Sequence, residues 1–510
     1  MKWTTRQRMM VFLSAATAMF GAVVSVQTAE AGGTRRPNIL WLAGENIKLD
    51  LGCYGEKLVR TPNLDRLAAE GVRFTRVFCT GPACATSRSA FFTGMYQTTI
   101  DCQNMRSHRY DAFRLPTGVR PITHRLHEAG YFTANIKTIG DRNVGTGKVD
   151  LNFVNEGPIY ESEDWNALKS HQPFFAVVNS HEVEFDISNG QGARKARVPW
   201  VGEGEHPQIA TPDNVTPPPY YPDHPIVRQE WARYLNSVSG MDRRIGWVLE
   251  RLRAEGLYDD TVIFFFADNG RQEARGIHWC YDSGLHVPLV IRWPKHFPAP
   301  PQITPGGVNG QVVSLMDLAA TTLAIAGVPR PPLMQSRNLL GEHSDPPRTY
   351  AFGARDRIDE TVLRIRTVRD ARWRYIRNFT PGPTFASLDR WSEKCFLVMP
   401  LMRELQAQGK LSGPPADLMA LCGPSEELYD IDADPHEIHN LAHSAQAEHR
   451  EALLRLRTAL DVWMSEAGDT GASPEPPEVV AQFEKNMDKY FGTPAWYKPG
   501  KAGGTQGKKP

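Results

Sequence analysis

The seven residues 261–267, TVIFFFA, contain no charged side chain. A run of this kind has no face it can offer to water, so it predicts a strand covered on both sides. Two further runs share the character, PNILWL at 37–42 and PFFAVVN at 173–179. Strands buried on both faces belong to a mostly parallel sheet with helices packed against it. Helical patterns lie between them. Residues 61–71, TPNLDRLAAEG, read as a short helix with Thr61 as its cap, Pro62 at its first position and Gly71 at its end. Tyr234, Val238, Met241, Ile245, Val248, Leu249 and Leu252 recur at helical spacing and predict a long amphipathic helix over 225–256. The fold class is α/β. Each apolar run ends in polar residues: Gly44-Glu45-Asn46, Ser180-His181-Glu182 and Asp268-Asn269-Gly270. Oxygen-bearing side chains at the C-terminal ends of such strands are well placed to form a site.

The stretch 77–96, VFCTGPACATSRSAFFTGMY, carries the most distinctive chemistry. Small residues lead to Cys84, and a helix-like run follows. This is how a reactive side chain is set at a helix N-terminus, where free N–H groups and the dipole favour an anion. Arg88, one turn on, offers a rigid fork of donors to the same anion. The plainer alternative is a buried, inert cysteine in a strand-to-helix turn.

Size and charge bound the rest. A chain of 510 residues has room for one large domain and a smaller one. A net charge of +1 gives no case for nucleic acid, so any attraction for anions is local. Residues 1–31 read as a secretory signal: Lys2, Arg6 and Arg8, then an apolar run, then Ala29-Glu30-Ala31. No other stretch approaches the roughly 18 apolar residues that span a bilayer. The expectation is an exported protein, periplasmic or secreted, with no membrane attachment after signal cleavage. Seven cysteines in an exported chain flag one special thiol. Cys395 and Cys422, which flank one loop-rich segment, are the first candidates for a bridge.

The run CATSRSAFFTG resembles the signature of the formylglycine-dependent sulfatase family, C-x-P-S-R followed by T-G. In that family a formylglycine-generating enzyme oxidises the cysteine to formylglycine, whose hydrate attacks sulfate esters. Cys84 and Arg88 match, and Thr86 stands where the family has proline. The resemblance continues in the family's order through PNIL…GEN, TPNLDRLA, the Gly147-Lys148-Val149-Asp150 turn, Asp268-Asn269-Gly270, GIHWCYDSGLHVP and EELYDIDADPHEIHNLA. It implies an alkaline-phosphatase-like architecture, a mixed, mainly parallel sheet between helices, with a smaller antiparallel C-terminal sheet. Glu45, Asn46, Asp268 and Asn269 would then hold calcium, or magnesium. Lys148 would clamp the sulfate and Asp150 would orient it or a neighbour. His181, or else His278, would protonate the leaving alcohol. Gln103 and Met105 stand where related sulfatases often carry substrate-reaching histidines. Ile277 occupies the place of a sulfate-binding lysine, with His278 next to it.

These expectations divide the chain into a signal at 1–31, a catalytic domain at 36–330, a C-terminal subdomain at 331–467 and a loosely held tail at 468–510. The substrate class implied is a sulfated carbohydrate or another sulfate ester. Two rivals are a phosphodiesterase or phosphonate hydrolase on the same scaffold, and a non-catalytic binder of sulfated glycans.

Overall fold

A computed structural model gives the fold, and it describes residues 35–180, 209–380, 385, 387–420, 423–473 and 475–494. The large sheet comprises β1 (Asn38–Gly44), β2 (Val72–Phe78), β3 (Phe132–Ile139), β4 (Arg142–Asn143), β5 (Ser162–Asp164), β6 (Phe174–Asn179), β7 (Thr261–Ala267), β8 (His286–Arg292) and β9 (Gly307–Ser314). Its order is β4-β3-β6-β1-β7-β8-β2-β9, with β5 beside β3. Pairing is parallel from β3 through β6 and β1 to β7; β8 runs antiparallel between β7 and β2, and β9 returns parallel to β2. The three apolar runs of the sequence are therefore adjacent strands, and every residue of β1, β6 and β7 is buried.

That burial fixes more than the strands. Trp41 of β1 packs its ring against Phe91 at 5.9 Å, Phe92 at 5.7 Å and Phe266 at 5.4 Å between centroids. Phe91 and Phe92 sit on the helix Cys84–Thr93, so the core clamps that helix to the sheet. Removing one such ring from a packed core costs about 3–5 kcal/mol. The helix ends at Gly94, whose φ of 69° is a left-handed conformation that suits glycine.

The second sheet is antiparallel: β10 (Ala351–Arg355), β11 (Ile365–Arg369), β12 (Trp373–Asn378) and β13 (Glu426–Asp430). The helix Ala447–Glu466 buries Ala452, Leu456, Leu460 and Trp463 in the core of this sheet. Buried charges tie this sheet to the segment that precedes β8. Asp282 accepts from Arg374 at 2.9 Å and from Arg369 at 3.4 Å. No described helix is long and apolar enough to cross a membrane.

Two expectations are corrected. Thr61 stands at the N-cap of the helix Pro62–Glu70, but its hydroxyl does not cap it. It accepts from Gly52 N at 2.8 Å and donates to Asp65 at 3.0 Å, tying the preceding loop to the helix instead. The stretch after Gly468 is not uniformly loose. Residues Pro477–Phe491 form a helix that buries Val479, Phe483 and Met487, three apolar residues four apart. Arg357 lies 3.7 Å over the Phe483 ring and pairs with Glu475 at 2.5 Å. Composition alone read this region as polar, and its helical spacing was overlooked. Cys422, half of the expected bridge with Cys395, lies outside the described residues.

Candidate active site

The parallel register brings three strand ends together. Ala43 is opposite Asn179, and Gly44 is opposite Ala267. The residues just beyond β1 and β7, Glu45, Asn46, Asp268 and Asn269, thus meet at one edge of the sheet, all of them buried. Gly270 must follow because a side chain there would meet the Ser283 carbonyl oxygen at 2.1 Å. Asn269 Nδ2 donates to Asn46 Oδ1 at 2.8 Å, and the backbone N–H of Asn269 donates to Asp268 Oδ1 at 2.9 Å.

Cys84 is the first residue of its helix, as the sequence predicts. Its N-cap, Ala83, has no side-chain oxygen to occupy the first N–H groups. Thr86, where the related signature has proline, donates its hydroxyl back to Ala83 O at 2.9 Å and so closes the first turn by another route. Cys84 Sγ lies 3.9 Å from Asn46 Oδ1, which puts the thiol against the oxygen cluster.

Arg88 is fully buried and touches all three strand ends. Its Nε donates to Asp268 Oδ2 at 3.0 Å, one terminal nitrogen to Asn179 Oδ1 at 2.7 Å and the other to Glu45 Oε1 at 3.1 Å. Burial opposes its charge, but Asp268 and Glu45 outweigh that and hold the guanidinium ionised. Lys148 Nζ donates to the other Glu45 oxygen at 2.9 Å. Two carboxylates therefore face two cations at the centre of the site.

Of the two roles expected for Asp150, the structure shows it holding a neighbour. It accepts both arms of the Arg106 fork, at 2.9 and 2.8 Å. Burial works against ionisation of Asp150, but Arg106, Lys148 and Arg88 hold its carboxyl well below the usual range. Gln103 and Met105 are both buried. Gln103 donates to Thr470 at 3.2 Å, and Met105 packs against Ala83 and Ala85 under the cysteine.

Ile277 is buried among apolar residues, and His278 beside it is buried too. The backbone N–H of His278 donates to Pro82 O at 2.7 Å, just before Cys84. Its Nδ1 is 3.0 Å from Asp389, and its ring lies 4.9 Å from that of Trp391. His181 falls outside the described residues.

Asn46, Arg106, Asp150, His278 and Asp359 all have φ between 43° and 75°. Side-chain-bearing residues seldom adopt that region, and where they do the surroundings hold them there. Sequence reasoning missed Arg106, Asn179, Asp359 and Asp389. Only Asn179 had a readable signal, as the last residue of an apolar strand.

Two observations bear on a metal. Asn269 Oδ1 is buried without a hydrogen-bond partner, an acceptor aimed at no donor. The donors around it are two carboxylates and two amide oxygens, a set that suits a hard divalent cation. The residues present fit calcium.

Comparisons with known proteins agree with this geometry. The model of the Sulfatase family matches residues 37–328. The chain is 33% identical over 472 residues to an ulvan-active sulfatase of Formosa agariphila, covering 86% of this chain and 76% of that protein. It is 26% identical over 481 residues to human N-sulphoglucosamine sulphohydrolase, covering 85% and 91%. Among solved structures, a 2-O GAG sulfatase superposes with a TM-score of 0.59 at 18% identity, over 88% of this chain and 96% of that one.

Proposed function

We propose, from the premise that this chain belongs to the sulfatase family and is a sulfuric ester hydrolase, that its substrate is a sulfated carbohydrate. The names of the relatives support that class, one an ulvan-active sulfatase and one an N-sulphoglucosamine sulphohydrolase. The observation that carries the reading is the meeting of Cys84, Arg88 and four oxygen donors at the ends of adjacent parallel strands.

In this reading a formylglycine-generating enzyme converts Cys84, and formylglycine supplies a hydrated aldehyde as the nucleophile toward sulfur. Glu45, Asn46, Asp268 and Asn269 would hold calcium, which would supply positive charge to the sulfate oxygens. The chain's own residues do the rest. Arg88 fixes Glu45, Asp268 and Asn179 in one array and keeps a full positive charge beside residue 84. Lys148, held on Glu45 at 2.9 Å, adds a second positive charge for the sulfate. Arg106 and Asp150 form a rigid wall beside it. The departing alcohol needs a proton, and His181 and His278 are the two groups assigned to supply it. The N-terminal signal pattern makes the mature enzyme periplasmic or secreted.

The test is turnover by protein isolated from its own host. Matched aryl sulfate, phosphate monoester, phosphodiester and phosphonate substrates are compared. The reading expects sulfate ester hydrolysis to dominate by about 100-fold or more in kcat/KM. Preference for a phosphorus ester, or binding of sulfated sugar without turnover of any ester, would refute it.

A further inference from the structure

A second cavity adjoins the catalytic cluster through Asp150. Its wall includes His108, Arg109, Val149, Asp150, Leu151 and Phe153. Asp150 is shared: one side of it accepts the Arg106 fork, and it feels the charges of Lys148 and Arg88. Arg106 itself is close enough to Cys84 and Asp359 to feel their charges. Asp150 thus stands between the cavity and the cluster of Glu45, Arg88 and Lys148.

Its polar groups are not spent on the protein. Arg109 is exposed, and no ion pair or side-chain hydrogen bond holds it among the described residues. Partial burial and the like charge of Arg106 press against its own charge, while Asp150 is already committed to Arg106. His108 Nδ1 is buried without a partner. Burial, then Arg109, hold the imidazole toward its neutral form, in which one ring nitrogen accepts and the other donates. Val149, Leu151 and Phe153 give the cavity an apolar side. An exposed guanidinium with no ion pair among the described residues, set beside an apolar wall, matches a sugar ring bearing one anionic group.

We infer that this cavity is a subsite for the sugar next to the sulfated one, and that Arg109 selects a neighbour carrying a carboxylate or a second sulfate. The inference rests on the sulfatase reading and names its substrate more closely: a polyanionic chain, not an isolated sulfate ester. The Arg106–Asp150 pair separates the two anions, so each meets its own cation.

The experiment uses sulfated disaccharides in matched sets, the sulfated sugar constant and its neighbour either a uronate, a sulfated hexose or a neutral hexose. Full-length wild-type protein should favour an anionic neighbour by about tenfold in kcat/KM. Whether the uronate or the sulfated hexose gains more identifies the anion. Arg109→Gln should collapse the ratio toward one by raising KM for the anionic members, and Arg109→Lys should keep part of it. The ratio within a set is the readout, so a general loss of activity cancels. Calorimetric titration of the same sets into Cys84→Ser protein reads the subsite without chemistry. A preference there with no turnover anywhere supports the subsite and sinks the sulfatase reading. Equal kcat/KM across each set, equal binding across each set, or a preference unchanged in Arg109→Gln overturns the subsite.

Discussion

His278 Nδ1 stands 3.0 Å from an oxygen of Asp389, a residue 111 positions further along the chain and outside the span that the family model matches. Asp389 also caps the helix Arg390–Cys395 by accepting from Ser392 N at 2.8 Å. Burial opposes its charge, but His278 and these hydrogen bonds bring its carboxyl down to about 2. A C-terminal element thus grips His278, the neighbour of the Ile277 that stands in the place of a sulfate-binding lysine. Asp389→Asn should lower kcat/KM on an aryl sulfate by about 10-fold or more, the usual scale for a residue that orients a ligand-binding histidine. Asp389→Glu should recover part of the loss. Equal activity in all three proteins would separate the pair from catalysis.

Arg88 holds three strand ends, so its removal should be felt twice. Arg88→Ala should cost about 3 kcal/mol or more of transition-state stabilisation, read as kcat/KM. It should also leave Glu45 and Asp268 buried with fewer partners, at about 3–5 kcal/mol of stability. Arg88→Lys should not restore turnover, because an ammonium cannot span Asp268, Asn179 and Glu45 as a fork does. Denaturant unfolding alongside steady-state rates measures both effects.

Calcium should raise the melting temperature, because a ligand that binds only the folded chain stabilises it by about 2.7 kcal/mol at a hundredfold excess over Kd. Glu45→Gln should shrink that shift. Asn46→Asp should enlarge it by returning a second acid to the end of β1. A melting curve indifferent to both calcium and a chelator would contradict the assigned oxygen set.

Glu360 supplies a pH test away from the chemistry. Burial first, then the Asp389 and Asp359 charges, push its carboxyl up to about 8, although Arg390 donates to it at 3.3 Å. An acid whose folded pKa is raised contributes its stability fully below the unfolded value of 4.5. That contribution is lost as pH rises through about 8. Glu360→Gln should therefore be the more stable protein at pH 9 relative to wild type, and the advantage should vanish near pH 5. Parallel curves at both pH values would refute the shift.

The parts of the site that one chain segment carries were readable. Uninterrupted apolar runs gave β1, β6 and β7 and the polar residues at their tips, and small residues before Cys84 gave the helix start. Family resemblance singled out Glu45, Asn46, Asp268 and Asn269, and the register of β1 and β7 brings them together. What stayed hidden depends on convergence. Arg106 reaches Asp150 only because both adopt left-handed backbone, and nothing in QNMRS or GKVDL announces that. Asp389 lies in a stretch of no distinctive pattern and becomes legible only when it touches His278. The helix at 477–491 was lost because prolines, glycines and lysines around it masked three apolar residues at helical spacing.

Mass spectrometry of the peptide spanning Cys84, taken from protein made in its native host, tests the central claim most directly. Formylglycine at residue 84, present in protein that hydrolyses sulfate esters and missing from the Cys84→Ala variant, is the result expected. An intact thiol at that position in fully active protein would contradict it.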